Sequence, residues 1–155
     1  MRLTSLELRI PPPAIGLLIA GAMWAISLVT PVIDVSLVVR AAAAIALALL
    51  GGGISFAGVS ACRRAQTTVN PMKPQTSSSL VSGGIYAVTR NPMYLGLSCI
   101  LLGWSVFLAS VWTLPGPAAF VMYMTRFQIV PEERVLLSLF GANYTAYTAK
   151  VRRWL

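Results

Sequence analysis

The sequence predicts an all-α integral membrane fold of about four transmembrane helices, with a polar pocket at one membrane face and a C-terminal amphipathic helix. Three observations predict it. The 155 residues have a mean hydropathy of +0.76 and only 10% are charged, against roughly 25% in an average soluble domain. Four apolar runs alternate with polar connections, and a helix needs about 20 apolar residues to cross the hydrocarbon core. The few charges gather with tyrosines at the run boundaries, as they do where a membrane protein builds a polar pocket. The length suits a single membrane domain over residues 1–155.

The first span is read at 14–33, entered through Pro11-Pro12-Pro13. Its run is long for a signal peptide and no clean small-residue cleavage site follows, so it is read as a retained span. The second, 37–59, is rich in Ala and Leu and carries Gly51-Gly52-Gly53. The connection 62–92 is polar, with turn signals at Asn70-Pro71 and Lys73-Pro74. A disordered linker is one reading of it. Its β-branched and aromatic residues and the pair Gly83-Gly84 suit instead a backbone that wraps a ligand.

The third span is read at 93–112 and the fourth at 114–130, entered through Pro115-Gly116-Pro117. The fourth is short and carries Arg126, so the helix is expected to continue past Pro131, kinked or interfacial. In the segment 132–155, Leu136, Phe140, Tyr144, Tyr147, Val151 and Trp154 recur at helical spacing, and Gly141-Ala142-Asn143 marks a bend. Tyr144 and Tyr147 suit membrane packing and pocket lining equally. From Val151 onward, Trp154 with Arg152 and Arg153 reads as a surface anchor at headgroup level.

Topology follows from the cations. Twelve Lys and Arg stand against four Asp and Glu, a net charge of +8. The cations sit at the edges of apolar runs and not along one soluble face, which argues against nucleic acid as a partner. Arg2 and Arg9 precede the first span; Arg63, Arg64, Lys73 and Arg90 lie between the second and third; Arg134, Lys150, Arg152 and Arg153 follow the fourth. Between the first two spans stand only Asp34 and Arg40, and the last inter-span connection has no charge. The positive-inside rule puts both termini and the connection 62–92 in the cytoplasm, as in a protein of a bacterial inner membrane. Cys62 and Cys99 lack metal-ligand spacing, so no metal site is expected. Gly51, Gly52, Gly53, Gly58, Gly96 and Gly103 read as helix contacts.

Arg90, Asn91 and Tyr94 stand just before the third span, and Glu132-Glu133 just after the fourth. A helical hairpin returns both groups to one face. Two carboxylates, an Arg, an amide and tyrosines can enclose a ligand of mixed charge. The plainer alternative is that the glutamates pair with Arg90 or Arg126 and pin the helices.

The run Leu80-Val81-Ser82-Gly83-Gly84-Ile85-Tyr86, then Arg90-Asn91-Pro92-Met93-Tyr94-Leu95-Gly96, resembles the signature of the isoprenylcysteine carboxyl methyltransferase family, which is related to the phospholipid N-methyltransferases. Glu132-Glu133, Phe140-Gly141, Tyr144 and Tyr147 match its second block. The resemblance covers the second half of the chain. It implies an integral membrane methyltransferase that uses S-adenosylmethionine, held in a cytoplasmic cofactor pocket, and a lipophilic small-molecule or lipid acceptor. It implies cofactor contacts from Leu80, Val81, Tyr86, Arg90, Asn91, Pro92, Met93, Tyr94 and Glu132. It also implies a catalytic part for Glu133, and a substrate-holding Arg on the fourth span, a role open to Arg126 (catalytic as well) or to the position of Gln128.

Two departures matter. Asn91 stands where the family pattern has His, and so does Ser78; the chain has no His at all. Imidazole base catalysis is therefore excluded. Carboxylates and thiolates need no such base whereas an ammonium does, so a carboxylate or thiol acceptor is favoured over an N-methylated phospholipid. Without imidazole, cofactor affinity is expected to vary little with pH near neutrality. A four-helix exporter would need an acidic residue at mid-span, and none is present. A non-catalytic membrane protein of the same fold remains the other class.

Overall fold

The structure is a computed structural model that describes residues 7–155. Those residues form helices and connections, with no strand among them. Helix α1, Pro12–Ser27, begins on a proline that loses no hydrogen bond there. It ends short of the expected residue 33. The hydroxyls of Ser27 and Thr30 bond back to the carbonyls of Trp24 and Ile26, and Pro31 disfavours a helical Thr30. The chain then runs non-helically to Ser36, tied to the end of α3 by the Ile33 N–H on the Ala109 carbonyl at 2.7 Å.

Helix α2, Leu37–Arg64, is longer than the 37–59 expected. The Ser36 hydroxyl accepts from the Val39 N–H at its start, and Arg63 and Arg64 answer the dipole at its end. By length and composition α2 can cross a membrane; α1 and α3 are shorter apolar helices. Helix α3, Pro92–Leu108, also starts on proline and stops at Ala109, which takes the left-handed conformation (φ 51°).

Helix α4, Pro115–Met124, passes through a π turn, Thr125–Ile129, into α5, Val130–Lys150. Pro131 explains the turn. It has no N–H for the Phe127 carbonyl, which instead accepts from the Leu8 N–H at 3.1 Å. The continuation past Pro131 and the bend are as the sequence predicts. The bend centres on Gly141 (φ 50°, ψ −123°), a conformation costly for any other residue.

Helices α2 and α3 pack antiparallel through small residues. A Cβ on Gly51 would strike the Gly96 carbonyl, one on Gly58 would meet Pro92, and one on Gly103 the Ala44 backbone, whereas Gly52 and Gly53 face open space and are not the contacts expected. Backbones therefore approach as closely as in lipid-embedded helix pairs. The core gathers Ile15, Met23, Tyr94, Leu101, Phe120, Met124 and Ile129. Outside it, Leu17, Leu49, Phe56 and many other large apolar residues stay exposed. So large an apolar surface needs a non-aqueous neighbour.

Candidate functional site

The connection between α2 and α3 is built by its own polar residues. The Thr67 hydroxyl accepts from the Ser78 N–H, and the Ser78 and Ser79 hydroxyls donate to the carbonyls of Gln66 and Ala65. The disordered-linker reading does not fit a segment pinned at so many points. A 3₁₀ turn over Gly84–Ala87 then delivers Tyr86 inward; its glycine takes φ 61°. The Tyr86 hydroxyl lies 3.2 Å from the Cys62 Sγ, and its carbonyl accepts from the Tyr147 hydroxyl at 2.7 Å.

The C-terminal tail corrects the surface-anchor expectation. At Val151 the chain leaves α5 in an extended conformation (φ −120°, ψ 130°) and runs beneath the Arg90-Asn91 turn. The Arg152 carbonyl accepts from the Arg90 N–H at 3.1 Å. The Arg153 carbonyl accepts from the Asn91 amide at 2.9 Å. The Trp154 indole N–H donates to Thr125. Trp154 therefore packs on the core, and the tail braces the Arg90-Asn91 turn and Glu133.

Between these parts lies a cleft of about 800 Å³, open mouth included. Leu80, Val81, Tyr86, Arg90, Asn91, Pro92, Met93, Tyr94, Glu132 and Glu133 all line it. So do Tyr144 and Tyr147, which settles their two-way reading in favour of pocket lining. Cys62 and the stretch 67–71 also line it and were missed. The sequence marks their connection as one that wraps a ligand but singles out none of these residues.

The two glutamates sit in different surroundings. Glu133 is bound twice by Arg153, at 3.0 and 2.7 Å, and by Arg90 at 3.1 Å. The Arg153 guanidinium is raised in turn, chiefly by those hydrogen bonds. Among the described residues no cation pairs with Glu132; it accepts the Tyr94 hydroxyl at 3.1 Å. Burial of its carboxyl pushes it up to about 7, the Tyr94 bond opposing and the Glu133 charge adding to the shift. A carboxyl raised into the range where a His titrates turns the expectation of weak pH dependence near neutrality into the opposite prediction. Burial also pushes Tyr144 up to about 12 and raises Tyr86 and Tyr147, so all three phenols stay neutral. The Nε of Arg90 is buried with no hydrogen-bond partner.

Arg126 and Gln128 do not line this cleft. Arg126 pairs with Glu7 at 2.9 Å and lies over the Phe127 ring. Gln128 is fully buried and donates to the Ile10 carbonyl at 2.7 Å. The π turn before Pro131 aims this stretch at the N-terminal segment, away from the face that carries Glu132. The alternative in which the glutamates pair only to pin helices holds for Glu133 with Arg90, and not for Glu132.

Comparison with known proteins adds a family. The sequence model of the phospholipid methyltransferases matches residues 39–143. A curated protein of Haemophilus influenzae (strain ATCC 51907 / DSM 11121 / KW20 / Rd), described as an uncharacterized protein, is 44% identical over 63 residues, 41% of this chain and 100% of that relative. No solved structure matches.

Proposed function

This chain belongs to the phospholipid methyltransferase family, and on that premise we propose that it is an S-adenosylmethionine-dependent methyltransferase acting on a lipophilic acceptor at the cytoplasmic face of the membrane. The observation that carries the reading is one cleft wall holding a carboxyl with no cation partner, Glu132, near a guanidinium with an unpartnered buried Nε, Arg90. When bound, S-adenosylmethionine supplies an electrophilic methyl group on a sulfonium. It carries two positive groups and a carboxylate, and this pair of residues answers both signs. Glu132 faces the positive charge and Arg90 receives the carboxylate. Tyr86, Tyr94, Tyr144 and Tyr147 offer aromatic faces to the adenine and to the cation, the latter worth about 0.5–2 kcal/mol. Leu80 and Val81 contribute backbone contacts, and Asn91, Pro92 and Met93 form the wall on the α3 side.

Glu133 acts by holding Arg90, with Arg153 fixing Glu133. The chain's work is mostly positioning: it holds the nucleophile about 3–3.5 Å from the methyl group and excludes water. In this reading α1, α2, α3 and the α4–α5 run form one membrane domain of an inner membrane, with both termini and the cleft cytoplasmic. The acceptor enters from the lipid between α3 and α4. Carboxylate and thiol acceptors need no base and remain the first reading. An amine phospholipid is the second, favoured by Glu132, whose carboxyl at about 7 can take a proton from an ammonium near neutrality.

The test is methyl transfer. The full chain in lipid nanodiscs is incubated with methyl-labelled S-adenosylmethionine and with lipid extracts, lipophilic acids, thiols and amines, and mass spectrometry locates the label. Label in one acceptor class is expected. Donor binding with no label in any class would overturn the enzymatic reading.

A further inference from the structure

Arg40 belongs to no part of the methyl-transfer cleft. Arg40 is the one Lys or Arg that the sequence places on the side of the proposed membrane away from the cytoplasm. It lies in the first turn of α2, roughly 35 Å along the axis from Arg63 at 1.5 Å per residue. That exceeds the hydrocarbon thickness of about 30 Å, so its guanidinium reaches the opposite headgroup level. Its position is unfavourable twice over, since cations are disfavoured on that side and at helix N-termini. Nothing among the described residues compensates. Asp34 makes no ion pair with it among the described residues, and the Arg40 Nε is buried with no hydrogen-bond partner.

Beside Arg40 opens a second cleft, of about 620 Å³ with its mouth. It lies between α2, the end of α3, the chain that follows α1 and the turn Val111–Thr113. Its wall is almost wholly apolar, with Val35, Val39, Ala43, Val106 and Val111 among the lining. Its two serine hydroxyls are already engaged, Ser105 with Thr113 and Ser110 with Thr30. Arg40 is thus the free polar feature of an apolar cleft at headgroup level. Trp112, largely exposed, stands beside it as an interfacial residue does.

We infer that this cleft is a binding site for an anionic phospholipid of the non-cytoplasmic leaflet, its phosphate on Arg40 and an acyl chain along the apolar wall. A small anion would leave the wall bare. A zwitterionic headgroup brings its own cation to compete with Arg40. A net-negative headgroup on an acyl chain satisfies both halves of the site.

The experiment measures thermal unfolding of the full chain in detergent with phosphatidylglycerol, phosphatidylcholine or inorganic phosphate added. Phosphatidylglycerol is expected to raise the midpoint by about 3 °C or more beyond the other two. Arg40→Gln and the cleft-filling Ala43→Phe should each abolish that preference, while Arg63→Gln/Arg64→Gln, at the far end of α2, should keep it. Equal shifts with phosphatidylcholine, or an equal shift with inorganic phosphate, would overturn the site. So would a phosphatidylglycerol preference that survives Arg40→Gln, or one lost only with the Arg63 and Arg64 changes. Arg40→Lys guards against misfolding of the Gln variant: it keeps the charge without the planar fork and should keep part of the shift. These readouts involve no methyl donor, so they stand or fall apart from the proposed activity.

Discussion

Raising the pH from 5.5 to 7.0 should strengthen S-adenosylmethionine binding, through Glu132. Its carboxyl in the free protein is raised to about 7 because it is buried with only the Tyr94 hydroxyl for support. A sulfonium beside it requires the ionised form. About 3% of the carboxyl is ionised at pH 5.5 and half at pH 7.0, so affinity rises roughly 15-fold over that window. The donor's own amine titrates near 7.7–8.0, above the window. Calorimetry in buffers of different ionisation enthalpy should show about half a proton released per donor bound at pH 7. Glu132→Gln keeps an oxygen for the Tyr94 hydroxyl and should bind weakly at every pH, with no slope. S-adenosylhomocysteine, which lacks the positive sulfur, should give a shallower slope. Wild-type affinity that stays flat across the window, or a slope that persists in Glu132→Gln, would refute the reasoning.

The same carboxyl affects folding. Its folded value lies above the usual value of 4.5, so the stability it contributes is complete below about 4.5 and is lost as the pH rises through 7. The loss is about 3 kcal/mol in donor-free protein, read as Glu132→Gln gaining on wild type in unfolding midpoints between pH 5 and 8. Arg153→Ala removes two of the hydrogen bonds on Glu133. Because the side chain is partly exposed, the effect is about 1–2 kcal/mol, near a tenfold weaker donor in calorimetry. Arg153→Lys should recover part of it. Gly141→Ala forces a side chain into φ 50°, ψ −123°, at about 1–3 kcal/mol. It should also misplace Tyr144 and Tyr147, so donor binding falls along with the melting midpoint.

Much of the fold was legible because prolines start α1, α3 and α4 and small residues mark the α2–α3 contact. The meeting of Arg90 to Tyr94 with Glu132 and Glu133 follows from a hairpin that returns two boundary clusters to one face. The separate roles of the glutamates were not legible. Neighbours on a helix point about 100° apart, and which one meets Arg90 depends on how α5 is rotated. Nor was the tail: Arg152-Arg153-Trp154 has the local chemistry of an interfacial anchor, while the bonds that redirect it come from Thr89 to Asn91 and Glu133, far away in sequence. The direction of Arg126 was not legible for a related reason, since the π turn that rotates it arises from Pro131 five residues on.

The central claim is that Arg90 and Glu132 together enclose the methyl donor, and equilibrium binding of S-adenosylmethionine to the purified chain tests it most directly. Wild type should bind one donor per chain, and Arg90→Ala and Glu132→Ala should each abolish binding while the protein still melts cooperatively. Binding by both variants at wild-type affinity would contradict it.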